Sequence, residues 1–155
     1  MATHFHGKLR SNVTGSKFRF VPRDSSDAEI SVSYLPRIFR KKSDCPPFRI
    51  INVKIHGVFD STAPWGSHEG IELDTVLPEE KIPGTYHLHF PSSETVIASV
   101  KNFQLQHSIT KQIVLSFHKE RKHVYRILWD PLIITQPIWV LSLGISSIER
   151  KICTQ

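Results

Sequence analysis

Apolar and polar side chains alternate along most of this chain. Lys17–Phe20 sets two phenylalanines against a lysine and an arginine, and Ile30, Val32 and Tyr34 alternate with polar residues. Residues 48–59 repeat the pattern. Because successive side chains of a strand point to opposite faces, this spacing predicts strands with one buried and one solvated face. Further segments of the same type are residues 85–90, 95–105, 113–118, 124–129 and 138–143.

Turn signals separate these candidate strands. The charged run at residues 119–122 has the length of a hairpin connection, and most of the ten prolines stand where predicted strands end. We therefore predict a mainly β protein, an antiparallel β-sandwich or partly open barrel of about seven or eight strands. A single domain spans residues 1–155, and residues 1–15 are a candidate flexible segment.

Helical spacing is rare in the sequence, so only one or two short helices are predicted. Ile145, Ile148 and Ile152 recur at helical spacing, which predicts a helix over residues 145–153. Residues 25–27 supply capping side chains for a second short turn. Trp129 and Trp139 stand in apolar strand contexts, which predicts that both belong to the core.

Charge is distributed unevenly along the chain. The net charge is +6, but residues 1–54 carry +7, residues 55–110 carry −5 and residues 111–155 carry +4. Such segregation favours a basic surface for an anionic partner, either phosphate or acidic lipid, and an acidic patch that meets the basic patch of a neighbour. The alternative is that folding mixes the three blocks into an ordinary surface.

Two basic clusters, Arg37–Lys42 and Lys119–His123, are the strongest candidates for that surface. Phe39 lies within the first cluster, and an aromatic ring among cations suits either nucleic acid or an anionic membrane. The alternative is a pair of solvated turns. The predicted membrane-binding and RNA-binding residues are Lys17, Arg19, Arg37, Arg40, Lys41, Lys42, Lys54, Lys119, Arg121 and Lys122.

Motifs of catalysis are missing from the sequence. It contains no Gly-rich phosphate loop, no Gly-x-Ser-x-Gly turn and no paired-cysteine zinc spacing. We therefore expect a binding protein rather than an enzyme, without catalytic residues and without a cofactor. His87 and His89 project from one face of a predicted strand, but two imidazoles are too few for a zinc site, so no metal is predicted. They are candidate pH sensors, and the simpler alternative is that they are solvated strand histidines.

A loop predicted at residues 60–70 carries candidate partner-binding residues. Trp65 has polar neighbours there, which makes it a candidate exposed anchor. The preceding four residues resemble the Pro-[Ser/Thr]-Ala-Pro late-budding signal of viral matrix proteins, except that Ser61 replaces the first proline. That resemblance implies host budding machinery as a partner. The predicted partner-binding residues are Ser61, Thr62, Ala63, Pro64 and Trp65.

The order of features from Leu77 to Ser147 resembles the small single-domain matrix proteins of bornaviruses and nyaviruses, which are negative-strand RNA viruses. The resemblance covers under half of the chain. It implies a β-sandwich that self-associates into a homo-oligomer, underlies a membrane and contacts viral RNA or ribonucleoprotein. The segments that carry it are Leu77–Lys81, Tyr86–Phe90, Val100–Leu105, Ile113–Phe117 and Leu143–Ile145.

No run of about 18 apolar residues is present, and residues 1–10 lack the apolar core of a secretory signal. We therefore expect neither secretion by that route nor a membrane span, and the resemblance to matrix proteins implies a location in the virion and the host cytoplasm, at the inner face of a membrane. Two other binding functions also fit the sequence. One is a nucleic-acid-binding or RNA-silencing-suppressor module, and the other is a β-sandwich adaptor that reads a protein partner through Trp65.

Overall fold

Eight antiparallel strands form one curled sheet in the computed structural model, which describes residues 7–23, 28–34, 48–57, 70–90 and 95–149. Within those residues there are ten strands and one helix. The strands are β1 (Gly7–Ser11), β2 (Lys17–Pro22), β3 (Glu29–Tyr34), β4 (Ile51–His56), β5 (Ile71–Thr75), β6 (Glu79–Ile82), β7 (Thr85–His87), β8 (Phe103–His107), β9 (Ile113–Arg121) and β10 (Val124–Trp129). The helix is α1 (Pro137–Glu149).

The sheet order is β1-β2-β3-β4-β5-β8-β9-β10, and β6 and β7 form a separate two-stranded hairpin. Every strand of the large sheet therefore pairs with its sequence neighbour, apart from the excursion between β5 and β8. The sheet curls into a half-barrel, which confirms the predicted mainly β fold in its partly open barrel form. Antiparallel neighbours can be joined by short connections, and the β1–β2, β8–β9 and β9–β10 connections are indeed of five residues or fewer.

The alternation read from the sequence gives the two faces of the sheet. Phe18 and Phe20 are buried while Lys17 and Arg19 are exposed. Buried side chains at alternate positions of β3, β4 and β5 continue this inner face across the sheet. The strands of the first half are thus half-buried as predicted, because each presents one apolar row to the concave core.

Residues 138–143 are the principal correction to the predicted elements, because they belong to α1 and not to a strand. Pro137 occupies the first helical position, where a missing N–H costs nothing. A short continuous apolar run has no period that separates a buried helix from a buried strand. The predicted helix at 145–153 is confirmed for residues 145–149, and its remainder lies outside the described residues, as does the predicted turn at 25–27.

Helix α1 lies across the open side of the half-barrel, where it contacts β2, β3 and β10. The ring of Trp139 packs edge-on against Phe20, with 6.4 Å between centroids. Trp139 is buried, as predicted. The Cβ of an alanine at Gly144 would stand 2.6 Å from the Cδ1 of Ile127, so the helix backbone passes close to β10. The helix therefore contacts strands on both sides of the curled sheet, β2 and β3 on one side and β10 on the other.

Trp129, the other predicted core tryptophan, is 36% exposed. It ends β10, which is an edge strand with no neighbour on its outer side among the described residues. All six residues of this strand are at least partly solvated. The core prediction was wrong here because the sequence marks an apolar strand but does not show that the strand is at an edge.

The predicted strands at 85–90 and 95–105 are shorter than expected. The first ends at His87, with every β7 side chain exposed, and the second begins only at Phe103. His89 and Phe90 lie over the outer face of β8 and β9. There the ring of Phe90 stands 5.0 Å from that of His118, and the Gln104 amide donates to the carbonyl of His89 at 2.9 Å.

Candidate cationic binding surface

The register of the strands defines one end of the sheet. Tyr34 pairs with Ile51, the Thr75 hydroxyl donates to the Ile51 carbonyl at 2.9 Å, and Thr75 pairs with Leu105. The β1–β2 turn, the connection between β5 and β8 and the β9–β10 turn all leave the sheet beyond this row. We call this the basic end. The opposite end, where β8 ends at His107 and β9 begins at Ile113, is the far end.

The β9–β10 turn supplies the clearest cationic group of the basic end. Arg121 and Lys122 are exposed, and neither has a carboxylate within ion-pair distance among the described residues. Glu120, between Lys119 and Arg121, is engaged by Arg126 at 3.1 Å. The negative charge of Glu120 is thus balanced by Arg126 of β10, and Arg121 and Lys122 remain available to an anionic partner.

Lys119 anchors the base of this turn. Its backbone N–H donates to the side-chain oxygen of Asn102 at 2.9 Å, and its carbonyl accepts from the N–H of Ile97 at 2.8 Å. The side chain is half-buried. The β9–β10 hairpin is therefore held by the chain that precedes β8, so its tip extends from a fixed base.

Lys17 reaches the same end from the β1–β2 turn. It is exposed, begins β2, and forms no ion pair with the described residues. Its N–H donates to the side-chain oxygen of Asn12 at 3.0 Å, which closes the turn. Lys17 and the β9–β10 cations lie on opposite sides of the sheet, and α1 contacts both β2 and β10.

Arg19 and Lys54 have a different setting from the other predicted cations. Both lie on the outer face, in one cross-strand row with Ser31 between them. Arg19 is paired with Glu29 through a bond at 2.6 Å, and Lys54 with Glu72 at 3.4 Å. Their charges are thus balanced on the outer face, and the structure does not bring them to the basic end.

The Glu29 carboxylate shows the electrostatic effect of this pairing. Burial alone raises its pKa, but hydrogen bonds from Arg19 and Ser31, together with the positive charges of Arg19 and His56, outweigh burial and lower it. The outer face therefore stabilises the ionised form of this acid.

The remaining predicted cations, Arg37, Arg40, Lys41 and Lys42, lie outside the described residues, as do Ser61, Thr62, Ala63, Pro64 and Trp65. The described chain stops at Tyr34 and resumes at Phe48, and both flank the basic end.

Two groups of cations were missed by the sequence analysis. The ammonium of Lys101 donates to the carbonyl of Ile148 at 3.1 Å and lies 5.8 Å from the ring centroid of Tyr125, at the basic end. Nothing near Lys101 in the sequence signals this, because the contact is tertiary. Lys8 and Arg10 are exposed on β1 at the same alternate spacing as Lys17 and Arg19. This alternation could have identified them as solvated cations of a strand.

A cleft of about 760 Å³ opens beside the basic end, between residues 84–90 and 96–102. Its wall includes His87 and His89, and the ring of Phe48 packs on Tyr86 with 5.2 Å between centroids. The imidazole of His89 lies 3.5 Å from a carboxylate oxygen of Glu79. Both histidines are exposed. A role for them in pH sensing stays a prediction.

Across the described ranges, no three His, Cys, Asp or Glu side chains are grouped so that they could hold a metal ion. In the same part of the chain, no helix has the length and apolar character needed to cross a membrane. Comparison with models of known protein families and with curated proteins found no match to this chain.

Proposed function

We propose that this chain is a non-enzymatic structural protein of viral matrix type, which self-associates and binds an anionic membrane surface and RNA through the basic end. One observation carries the proposal: Lys17, Arg121 and Lys122 stand on turns of the same end without acidic partners among the described residues. The resemblance of residues 77–147 to bornavirus and nyavirus matrix proteins supports the same assignment.

Some of the exposed lysines and arginines already have a carboxylate partner, and their positive charge is therefore largely balanced. Arg19, Lys54 and Lys111 each have a carboxylate within ion-pair distance, whereas Lys17, Arg121 and Lys122 have none among the described residues. Exposed charges on a low-dielectric body focus the field outward and attract polyanions and acidic lipid surfaces. Each lysine or arginine close to an anionic membrane contributes about 1 kcal/mol of binding.

Self-association is supported by apolar surface on α1 and by the open sheet edges. Leu141, Ile145 and Ile148 are 54%, 41% and 45% exposed, and their spacing puts them on one outward face of the helix. This face belongs to the helix that contacts β10, where Trp129 is also solvated. A second copy that covered it would remove apolar area from water and shield an unpaired strand edge.

Sedimentation with vesicles of phosphatidylcholine and phosphatidylserine, and gel shift with single-stranded RNA, test the proposal. The variant Arg121→Gln/Lys122→Gln removes two unpaired cations from the basic end. Two contacts of about 1 kcal/mol each predict vesicle binding weaker by roughly 30-fold. The matched control Lys54→Gln/Lys111→Gln removes the same charge from two exposed lysines that already lie near Glu72 and Asp74, and it should retain most of the binding.

Equal binding by the wild-type chain and the Arg121/Lys122 variant, to vesicles and to RNA alike, would contradict the proposal. Binding to RNA with no binding to vesicles would favour the nucleic-acid module instead. A solution mass that corresponds to a monomer, with and without vesicles, would remove the self-association component.

A further inference from the structure

We propose that the basic end inserts two aliphatic side chains, Val13 and Ile82, into the boundary between the headgroups and the acyl chains of an anionic bilayer. This inference rests on the proposed function and deepens it, because it makes lipid the partner of this end and defines which turns enter the membrane. It is carried by the exposure of the two side chains, the internal hydrogen bonding of their turns and the free cations beside them.

Val13 and Ile82 are exposed aliphatic residues of two segments that leave the sheet at the basic end, the β1–β2 turn and the connection between β5 and β8. Val13, in the β1–β2 turn, is fully exposed, and Ile82, at the end of β6, is 64% exposed. Leu77 and Val100, also in the connection between β5 and β8, are 63% and 53% exposed. Aliphatic groups at turn tips gain nothing from water, and they lose unfavourable hydration when they enter the acyl boundary of a bilayer.

The β1–β2 turn satisfies its own polar groups, so its entry into the interface leaves few of them unpaired. The side-chain oxygen of Asn12 accepts from the N–H groups of Ser16 and Lys17 at 2.9 and 3.0 Å. The Asn12 amide in turn donates to the hydroxyls of Thr14 and Ser16 at 2.9 and 3.0 Å. Unpaired polar groups are what makes membrane insertion of a loop costly, and this turn already pairs several of its own.

The β6–β7 turn also leaves few backbone N–H groups without a hydrogen-bond acceptor. Pro83 has no backbone N–H, and the N–H of Gly84 donates to a carboxylate oxygen of Glu80 at 2.7 Å. The other acid of this hairpin, Glu79, lies beside His89. Both carboxylates are therefore engaged within the hairpin or its neighbour, and Lys81 next to Ile82 forms no ion pair with the described residues.

The combination of free cations and exposed aliphatic groups separates a bilayer from RNA as the partner. RNA phosphates would pair with Lys17, Arg121 and Lys122 but would give nothing to Val13 or Ile82. An anionic bilayer supplies negative headgroups for the cations and an apolar layer for the tips. The far end offers a contrast: Ile109 is 85% exposed, but the nearby Lys111 is 3.7 Å from Asp74.

Tryptophan reporters test the insertion directly. Val13→Trp and Ile82→Trp are made in the full chain, with Ile109→Trp as the matched far-end control, and the signal of the unsubstituted chain is subtracted. With phosphatidylserine-containing vesicles, fluorescence of the two basic-end reporters should shift to the blue and be quenched by brominated acyl chains. The Ile109→Trp signal should not change. Absence of a shift at both tips while the chains sediment with the vesicles would overturn the inference.

Polar variants separate this inference from the proposed function. Val13→Ser and Ile82→Ser should each weaken vesicle binding on the order of tenfold while RNA binding is retained. Circular dichroism melts verify folding, which these exposed positions should not disturb. If the Arg121/Lys122 variant loses vesicle binding and the serine variants do not, insertion is wrong and the proposed function stands. If none of the three variants loses binding, both are wrong.

Discussion

The phenolic oxygen of Tyr34 on β3 lies 3.1 Å from the hydroxyl of Ser147 on α1, in a buried setting. The hydroxyl of Ser146 is 3.3 Å from the same oxygen. This contact joins β3 to α1, the last of the described elements, so it ties the helix to the sheet. Buried hydroxyls that bond across elements fix how those elements dock, because no other arrangement satisfies them as well.

Replacing Tyr34 by phenylalanine should lower the free energy of unfolding by about 1 kcal/mol, because the buried serine hydroxyls lose a partner. Urea denaturation measures the change. Tyr125→Phe is the matched control, since the Tyr125 hydroxyl makes no hydrogen bond with the described residues. A loss at Tyr34 no larger than the loss at Tyr125 would show that the hydroxyl contact does not hold the helix.

Gly70 and Gly84 provide a second pair of matched positions. Both have positive φ, +105° and +80°, but a Cβ at Gly70 would collide with the carbonyl of Ile55, whereas a Cβ at Gly84 meets nothing within 4 Å. Gly84→Ala should therefore cost about 1–2 kcal/mol for conformation alone. Gly70→Ala should cost at least about 3 kcal/mol, since the neighbouring strand must also move. Equal losses in urea denaturation would argue against the close approach of β4 and β5.

Much of the sheet could be predicted from the sequence because half-buried strands have a period of two. The alternation around Phe18, Val32 and Val53 predicted both the strands and the face that each residue occupies. The same reasoning was wrong for the segment around Trp139, which was predicted as a strand and is part of α1. Its apolar run is buried on most sides, and burial of that kind erases the period that distinguishes strand from helix.

The candidate site was predicted less completely than the sheet, and for a physical reason. Arg121 and Lys122 are adjacent in sequence and share a turn, so composition alone could single them out. The separation of Lys17 from Arg19 and Lys54 depends on acids contributed by other strands, and only the cross-strand register brings Glu29 and Glu72 beside those two cations. Whether a surface charge is free or paired is a tertiary property.

The lowered pKa of Glu29 predicts a specific pH dependence of stability. Its pKa in the folded chain is below the ordinary value of 4.5, so its ionised form stabilises the fold. That contribution is fully present above about pH 4.5 and is lost as the pH falls through the folded pKa. Urea denaturation of wild type and Glu29→Gln from neutral pH downward should show a gap in stability that closes in acid. A gap that stays constant with pH would contradict the assignment.

Removal of the two cations at the β9–β10 turn should also change how RNA binding depends on salt. A protein that neutralises phosphates of a single strand releases about 0.7 counterion per contact, which sets the slope of log affinity against log salt concentration. Arg121→Gln/Lys122→Gln should therefore reduce the magnitude of that slope by roughly 1.4 if both cations contact phosphate. Lys54→Gln/Lys111→Gln should leave the slope nearly unchanged, because Glu72 and Asp74 already pair with these two lysines. Gel shifts over a range of salt concentrations give both slopes. Weaker binding by the Arg121/Lys122 variant at an unchanged slope would mean that these side chains do not touch phosphate, and RNA would have to be assigned to another surface.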